Sequence, residues 1–162
     1  MPVNVSTMPM RTLLLLTLVL AAGAAAALPA GAQQGLPPAT PDPSIADGSA
    51  QRALDQARAR WNKLKIRDYD YEVMQICFCP STGWQLIKVR NGVPTKASQA
   101  KAGYLATVPR LFREVARAIK RPAHRLNVTY GARGVPVDVF TDPIQYAVDD
   151  EGGFGVRRFK RR

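Results

Sequence analysis

Hydrophobic positions recur at helical spacing between Ala50 and Leu64. Ala50, Ala53, Leu54, Ala57, Trp61 and Leu64 share one stripe, and Arg52, Arg58, Arg60 and Lys63 fall mostly outside it. That pattern predicts an amphipathic helix running to about Ile66, with Asp47 or Ser49 as its cap. The basic side of the helix reads as a solvated surface. From Tyr69 the period changes to two. Tyr69, Tyr71 and Val73 alternate with Asp70 and Glu72, and the strand then turns apolar through Met74, Ile76 and Phe78 before Cys79-Pro80 ends it. Ser81-Thr82-Gly83 supplies a turn, Trp84 to Arg90 a second strand, and Asn91-Gly92 a hairpin signal before a short third strand. Positions 96–106 carry no clear pattern.

Thr107 is placed to cap a second helix, with Pro109 in its first turn, where a missing N–H does no harm. Val108, Leu111, Phe112, Val115 and Ile119 form its apolar side, and Lys120-Arg121-Pro122 stops it. Alternation returns in Leu126, Val128 and Tyr130, and again in Val135, Val137 and Val139 after the Gly131–Gly134 turn. Asp142-Pro143 closes that strand, and a last one is expected near Phe154 to Phe159, after Asp149-Asp150-Glu151-Gly152-Gly153. The order of elements predicts an α+β domain: an antiparallel sheet covered on one face by two helices.

The N-terminal segment follows a different rule. Arg11 precedes an apolar run from Leu13 to Leu28, and Ala30-Gly31-Ala32 has the small residues of a cleavage site. These are the parts of a secretory signal, so residues 1–32 are expected to be removed before Gln33. A membrane span is the competing reading. It needs about 20 apolar residues, and here Gly23 weakens the run and Pro29 ends it. No cysteine stands at the cleavage point to carry a lipid. Residues 33–48 read as a Pro-rich linker, with Gly35 to Ser44 extended and unpacked, and 49–162 as a single domain with a basic C-terminal tail. The whole chain of 162 residues carries a net charge of +11. Cleavage would take away Arg11 alone among charged residues and leave +10.

Trp61, Tyr69-x-Tyr71, Cys77-Phe78-Cys79-Pro80, Val89-Arg90-Asn91-Gly92, Thr107-Val108 with Leu111-Phe112, Val128-x-Tyr130, Gly134-x-Pro136 and Asp149-Asp150-Glu151 together resemble the exported domain-of-unknown-function 6174 family, over about positions 53 to 159. The Cys-Phe-Cys-Pro block is the most specific of these. The resemblance implies export and a shared fold, and brings no activity with it.

Candidate chemistry is sparse. Cys77 and Cys79 are the only cysteines, and an oxidising compartment would favour a bridge between them. Two steps along a strand span about 6.6 Å, near the upper limit of Cα separation for a disulfide, so bridging requires the chain to bend at Phe78. A bridge is either a static staple or the centre of a thiol–disulfide function. His124 is the only histidine, and nothing in the spacing requires it to meet the cysteines as a metal site. Asp138, Asp142, Asp149, Asp150 and Glu151 have the composition of solvated turns. No nucleophile elbow, zinc-protease helix, phosphate loop or dinucleotide fingerprint is present. The sequence thus implies neither cofactor nor metal, and it weighs against an enzyme.

The last feature is the run Arg157-Arg158-Phe159-Lys160-Arg161-Arg162. As a charged terminus it is expected to project into solvent, where Arg157, Arg158, Lys160, Arg161 and Arg162 are either candidate contacts for an anionic envelope polymer or lipid headgroups or simply a basic frayed end. Export makes nucleic acid the least fitting partner. The functional expectation is an exported, periplasmic or secreted, non-catalytic binding domain. The alternative is a redox protein using Cys77 and Cys79.

Overall fold

Buried and exposed positions sort the chain into six strands and four α-helices in a computed structural model that describes residues 40–80 and 83–162. The expected signal peptide, its cleavage site and residues 33–39 of the expected linker lie outside the described residues. So do Ser81 and Thr82 of the first turn.

The run expected to stay extended to Ser44 instead folds at its end. Pro43–Ala46 is a short helix, α1, capped by Asp42, whose carboxylate accepts the Ser44 N–H at 2.8 Å. Aspartate followed by proline and serine is a natural helix start. The same carboxylate accepts the Leu126 N–H at 2.8 Å, and the Asp42 N–H donates to the Ala123 carbonyl. This segment is therefore tied down rather than unpacked.

Helix α2, Ser49–Lys63, buries Leu54, Ala57 and Trp61, the centre of the predicted stripe. Its cap position is Gly48, not Asp47 or Ser49, although the Asp47 carboxylate does accept the Ser49 N–H at 2.7 Å. Strand β1, Tyr69–Cys77, leads into β2, Gln85–Arg90, and the short β3, Val93–Pro94. Asn91 and Gly92 both have positive φ, 50° and 79°, as the predicted hairpin turn requires.

The patternless stretch holds a polar helix, α3, Lys96–Ala102, followed by a single 3₁₀ turn, Gly103–Leu105. Thr95 caps α3, and the buried Ser98 hydroxyl accepts the Lys88 N–H at 2.8 Å, which fastens the helix to β2. Helix α4, Val108–Lys120, buries Val108, Leu111, Phe112 and Val115, and Ile119 is partly buried. Thr107 occupies the cap position without a side-chain hydrogen bond. The Val108 N–H that starts the helix donates instead to the Tyr69 hydroxyl at 3.1 Å.

The remaining strands are β4, Arg125–Tyr130, β5, Pro136–Asp142, and β6, Gly152–Arg161. Between β4 and β5, Gly134 sits at φ +84°, and a Cβ there would lie 2.1 Å from the Ala57 carbonyl oxygen, so this turn packs directly on α2. The sheet order is β3-β2-β1-β6-β5-β4, antiparallel throughout. This is the expected mixed α+β fold. Leu54, Ala57 and Trp61 of α2 and Leu111, Phe112 and Val115 of α4 join one buried cluster with Tyr69, Tyr71, Ile87, Val139 and Phe154 of the sheet. Trp61 stands edge-on to both Tyr69, at 5.4 Å, and Phe159, at 5.7 Å.

The expectation that the C-terminal run projects into solvent is overturned. Arg157–Arg161 is the second half of β6, paired along β1 from Tyr69↔Arg161 to Glu72↔Arg157. The physical reason lies in Phe159, which stacks on Tyr69 at 5.4 Å and anchors the strand from within. Phe154 and Val156 are buried on the helix side. Strict alternation would then send Arg158 inward and Phe159 outward. A bulge between the Asp70 and Glu72 pairings, with Arg158 at φ 53°, inserts one residue and returns Phe159 to the core.

Candidate functional site: the open face of the sheet

Side chains one residue apart on a strand point to opposite faces. Tyr69, Tyr71 and Val73 point under the helices, so Asp70 and Glu72 point to the face that α2 and α4 leave open. Directly opposed residues share a face, which puts Lys88 and Lys160 beside Asp70, and Leu86 and Arg157 beside Glu72.

Each carboxylate serves two arginines. Asp70 accepts from Arg90 at 2.8 Å and from Arg162 at 2.7 Å. Glu72 accepts from Arg157 at 2.7 Å and from Arg158 at 2.8 Å, which the bulge makes possible by turning two consecutive arginines outward. The Asp70 side chain is buried, 6% exposed, and that of Glu72 half-buried, 16% exposed, while the four arginine side chains are 43–71% exposed. The acids therefore act as anchors beneath a layer of cations. Burial opposes ionisation of Asp70, but the hydrogen bonds and charges of Arg90 and Arg162 outweigh it and hold the carboxyl below its ordinary value. At Glu72 the hydrogen bonds from Arg157 and Arg158 lower it. Across β2, β1 and β6 this face carries Lys88, Arg90, Arg157, Arg158, Lys160 and Arg162 against Asp70 and Glu72 alone, a net charge of +4.

Trp84 extends the same surface. A Cβ on Gly155 would come within 3.0 Å of the Trp84 ring, so glycine is what lets the indole lie down across the sheet. The Arg157 guanidinium sits 4.0 Å from the ring centroid, held between the ring and Glu72.

Of the tail residues singled out in the sequence, Arg157, Arg158, Lys160 and Arg162 meet on this face. Arg161 pairs with Tyr69 and falls on the other side, at the end of the sheet. Asp70, Glu72, Lys88, Arg90 and Trp84 were missed as partners of the tail. The alternation of Asp70 and Glu72 with the tyrosines was the available signal that two acids share a face.

Cys77 and Cys79 are brought together, with sulfurs at bonding distance and Cα atoms 5.2 Å apart. The strand ends at Cys77, and Phe78 between the two is 79% exposed, so the chain bends there as bridging requires. His124 does not join them: its Nδ1 lies 2.9 Å from the Thr40 carbonyl oxygen. Among the described residues no three His, Cys, Asp or Glu side chains converge as metal ligands. Asp150 accepts the Ile144 N–H at 3.0 Å, a turn contact rather than a cluster.

A family model described as a family of unknown function, DUF6174, matches residues 53–161, from within α2 to the end of β6. The chain belongs to the DUF6174 family. The match takes in all six strands, both paired carboxylates and the Cys77–Cys79 pair. No curated protein and no solved structure matches the chain. DUF6174 membership thus fixes kinship over the whole open face and assigns that face no task.

Proposed function

We propose that this DUF6174 domain is an exported, non-catalytic binding module, periplasmic or secreted, whose open sheet face engages an anionic polymer or anionic lipid headgroups of the cell envelope. The observation that carries this reading is the sharing of one buried carboxylate, Asp70, and one half-buried carboxylate, Glu72, among four exposed arginines. Free arginines on a surface lose side-chain entropy when they bind. Here that ordering is already met in the folded state, and the four arginine side chains remain exposed. Lys88 and Lys160 add charge on either side. Export rests on the N-terminal sequence pattern, which lies outside the described residues.

Retention of the protein on phosphatidylglycerol vesicles and on soluble polyphosphate, followed across a salt series, tests this reading and separates its two sources. Neutralising Lys88, Arg158 and Lys160 to glutamine should weaken retention and flatten its salt dependence. Equal retention by both proteins at every salt concentration would refute it.

The Cys77–Cys79 pair supports a second reading, thiol–disulfide exchange, because it lies at a strand end beside an exposed Phe78. Equilibration in glutathione buffers tests that. A pair that stays oxidised across the whole accessible range is a staple and not a redox centre.

A further inference from the structure

On the helix-covered side, α4 and the β5–β6 pair part to leave a cleft of about 300 Å³. Its floor is apolar. Val139 and Phe154 are core residues 2% exposed, and Ala118 and Ala123 contribute side chains too small to fill the space above them. Its rim is charged. Glu114 and Arg117, three residues apart, share one side of α4, and Arg121, the extended residue that ends the helix, lines the same cleft. Glu114 accepts a hydrogen bond from Arg117. Burial pushes the Glu114 carboxyl above its ordinary value, which the neighbouring arginines only partly offset. Arg121 makes no side-chain hydrogen bond or ion pair among the described residues, and Tyr104 also lines the cleft.

We propose that this cleft binds a small amphipathic carboxylate, its apolar body on the alanine floor and its carboxylate on Arg121 and Arg117. Two guanidiniums against one carboxylate leave the rim one positive charge in excess, which favours an anion over a cation or a neutral chain. The paired N–H groups of a guanidinium match a carboxylate in a bidentate grip. A concave apolar floor with a few convergent polar groups is the usual make-up of a small-molecule site. A volume of about 300 Å³ is at the small end of ligand pockets, which suits a short-chain carboxylate such as octanoate. Nothing in this inference depends on the open face.

The test is an NMR titration of the full chain with octanoate, and in parallel with octylamine and 1-octanol. Octanoate should give saturable shifts at Ala118, Thr141 and Gly153, and bind at least tenfold more tightly than either comparator. Arg121→Gln should reduce octanoate affinity about tenfold, and Ala118→Leu, which fills the floor, should abolish binding with the fold intact by its amide spectrum. Equal binding of octylamine or 1-octanol would overturn the proposal without recourse to any variant. Shifts confined to Lys88, Lys160 and Arg158 would also overturn it, by showing that octanoate merely adsorbs to the cationic face.

Discussion

Tyr69, Tyr71 and Val73 are sealed under two helices, while Asp70 and Glu72, each one residue away, hold four arginines in the open. The same nine-residue strand, β1, thus serves two surfaces with different physics. On the covered side Tyr69 lies against Trp61 and Phe159 and stacks on Tyr71, and the two hydroxyls are used internally: Tyr69 accepts from the Val108 N–H, and Tyr71 donates to the Leu105 carbonyl. Burial raises both phenols, Tyr69 to about 12 and Tyr71 further. On the open side the buried partner is the anion and the exposed partner is the cation. Stability should therefore reside on the covered face and interaction on the open one, with the carboxylates belonging to both.

Emptying the covered face should have the largest effect. Phe112→Ala is expected to cost about 3–5 kcal/mol, the usual range for removing a buried aromatic side chain, read as a lower denaturation midpoint at unchanged slope. A midpoint that does not move would show that α4 does not hold the sheet.

The anchors should come next. Asp70→Asn weakens two charged hydrogen bonds and is expected to cost about 1.5–3 kcal/mol. Its pH dependence follows from the lowered carboxyl. The folded-state value lies below the unfolded one of about 3.9, so the stabilisation is complete above that range and is lost as pH falls through the folded value. The native protein should lose stability on acidification below about pH 5. Asp70→Asn should lose less over the same interval, and parallel acid profiles for the two proteins would show that Asp70 is not the anchor.

Joint replacement of Cys77 and Cys79 by serine should cost roughly 1.5 kcal/mol at most, because so short a loop removes little entropy from the unfolded chain. A loss comparable to that of Phe112→Ala would place the pair among the determinants of the fold. The smallest change in stability belongs to the outermost cations. Lys88→Gln with Lys160→Gln should alter it by less than about 0.5 kcal/mol, yet lower retention on polyphosphate at low salt. Loss of stability without loss of retention would reverse the division between the faces.

The covered face was legible because its information is local. Leu54, Ala57 and Trp61 recur at helical spacing, and Tyr69, Tyr71 and Val73 at strand spacing, whatever the rest of the chain does. The open face was not legible, because its contacts join Glu72 to Arg157 and Asp70 to Arg162 across the sheet, and those registers are set by folding. The bulge at Arg158 hid the last strand further, since it breaks the alternation of Phe154, Val156 and Phe159 and makes an ordered strand resemble a charged end. Helix α3 escaped notice for the opposite reason. Its seven residues include no large apolar side chain, and it is held by Thr95 and Ser98 hydrogen bonds. The cleft gathers Tyr104, Arg121, Thr141 and Gly153 from four separate segments, so no single stretch announces it.

The place of β6 in the sheet has a consequence for how the molecule comes into being. It is the last strand in chain order and lies between β1 and β5, and no other strand joins the β3-β2-β1 half to the β5-β4 half. The two halves can pair as local hairpins before β6 joins them, but they cannot unite without it. Until then the ring faces of Tyr69 and Trp61 lack Phe159, and Asp70 and Glu72 lack three of their four arginines. Closing the sheet links residues more than eighty positions apart, a slow step in a topology of long-range pairings. Translation thus runs nearly to the end of the domain before the fold can lock.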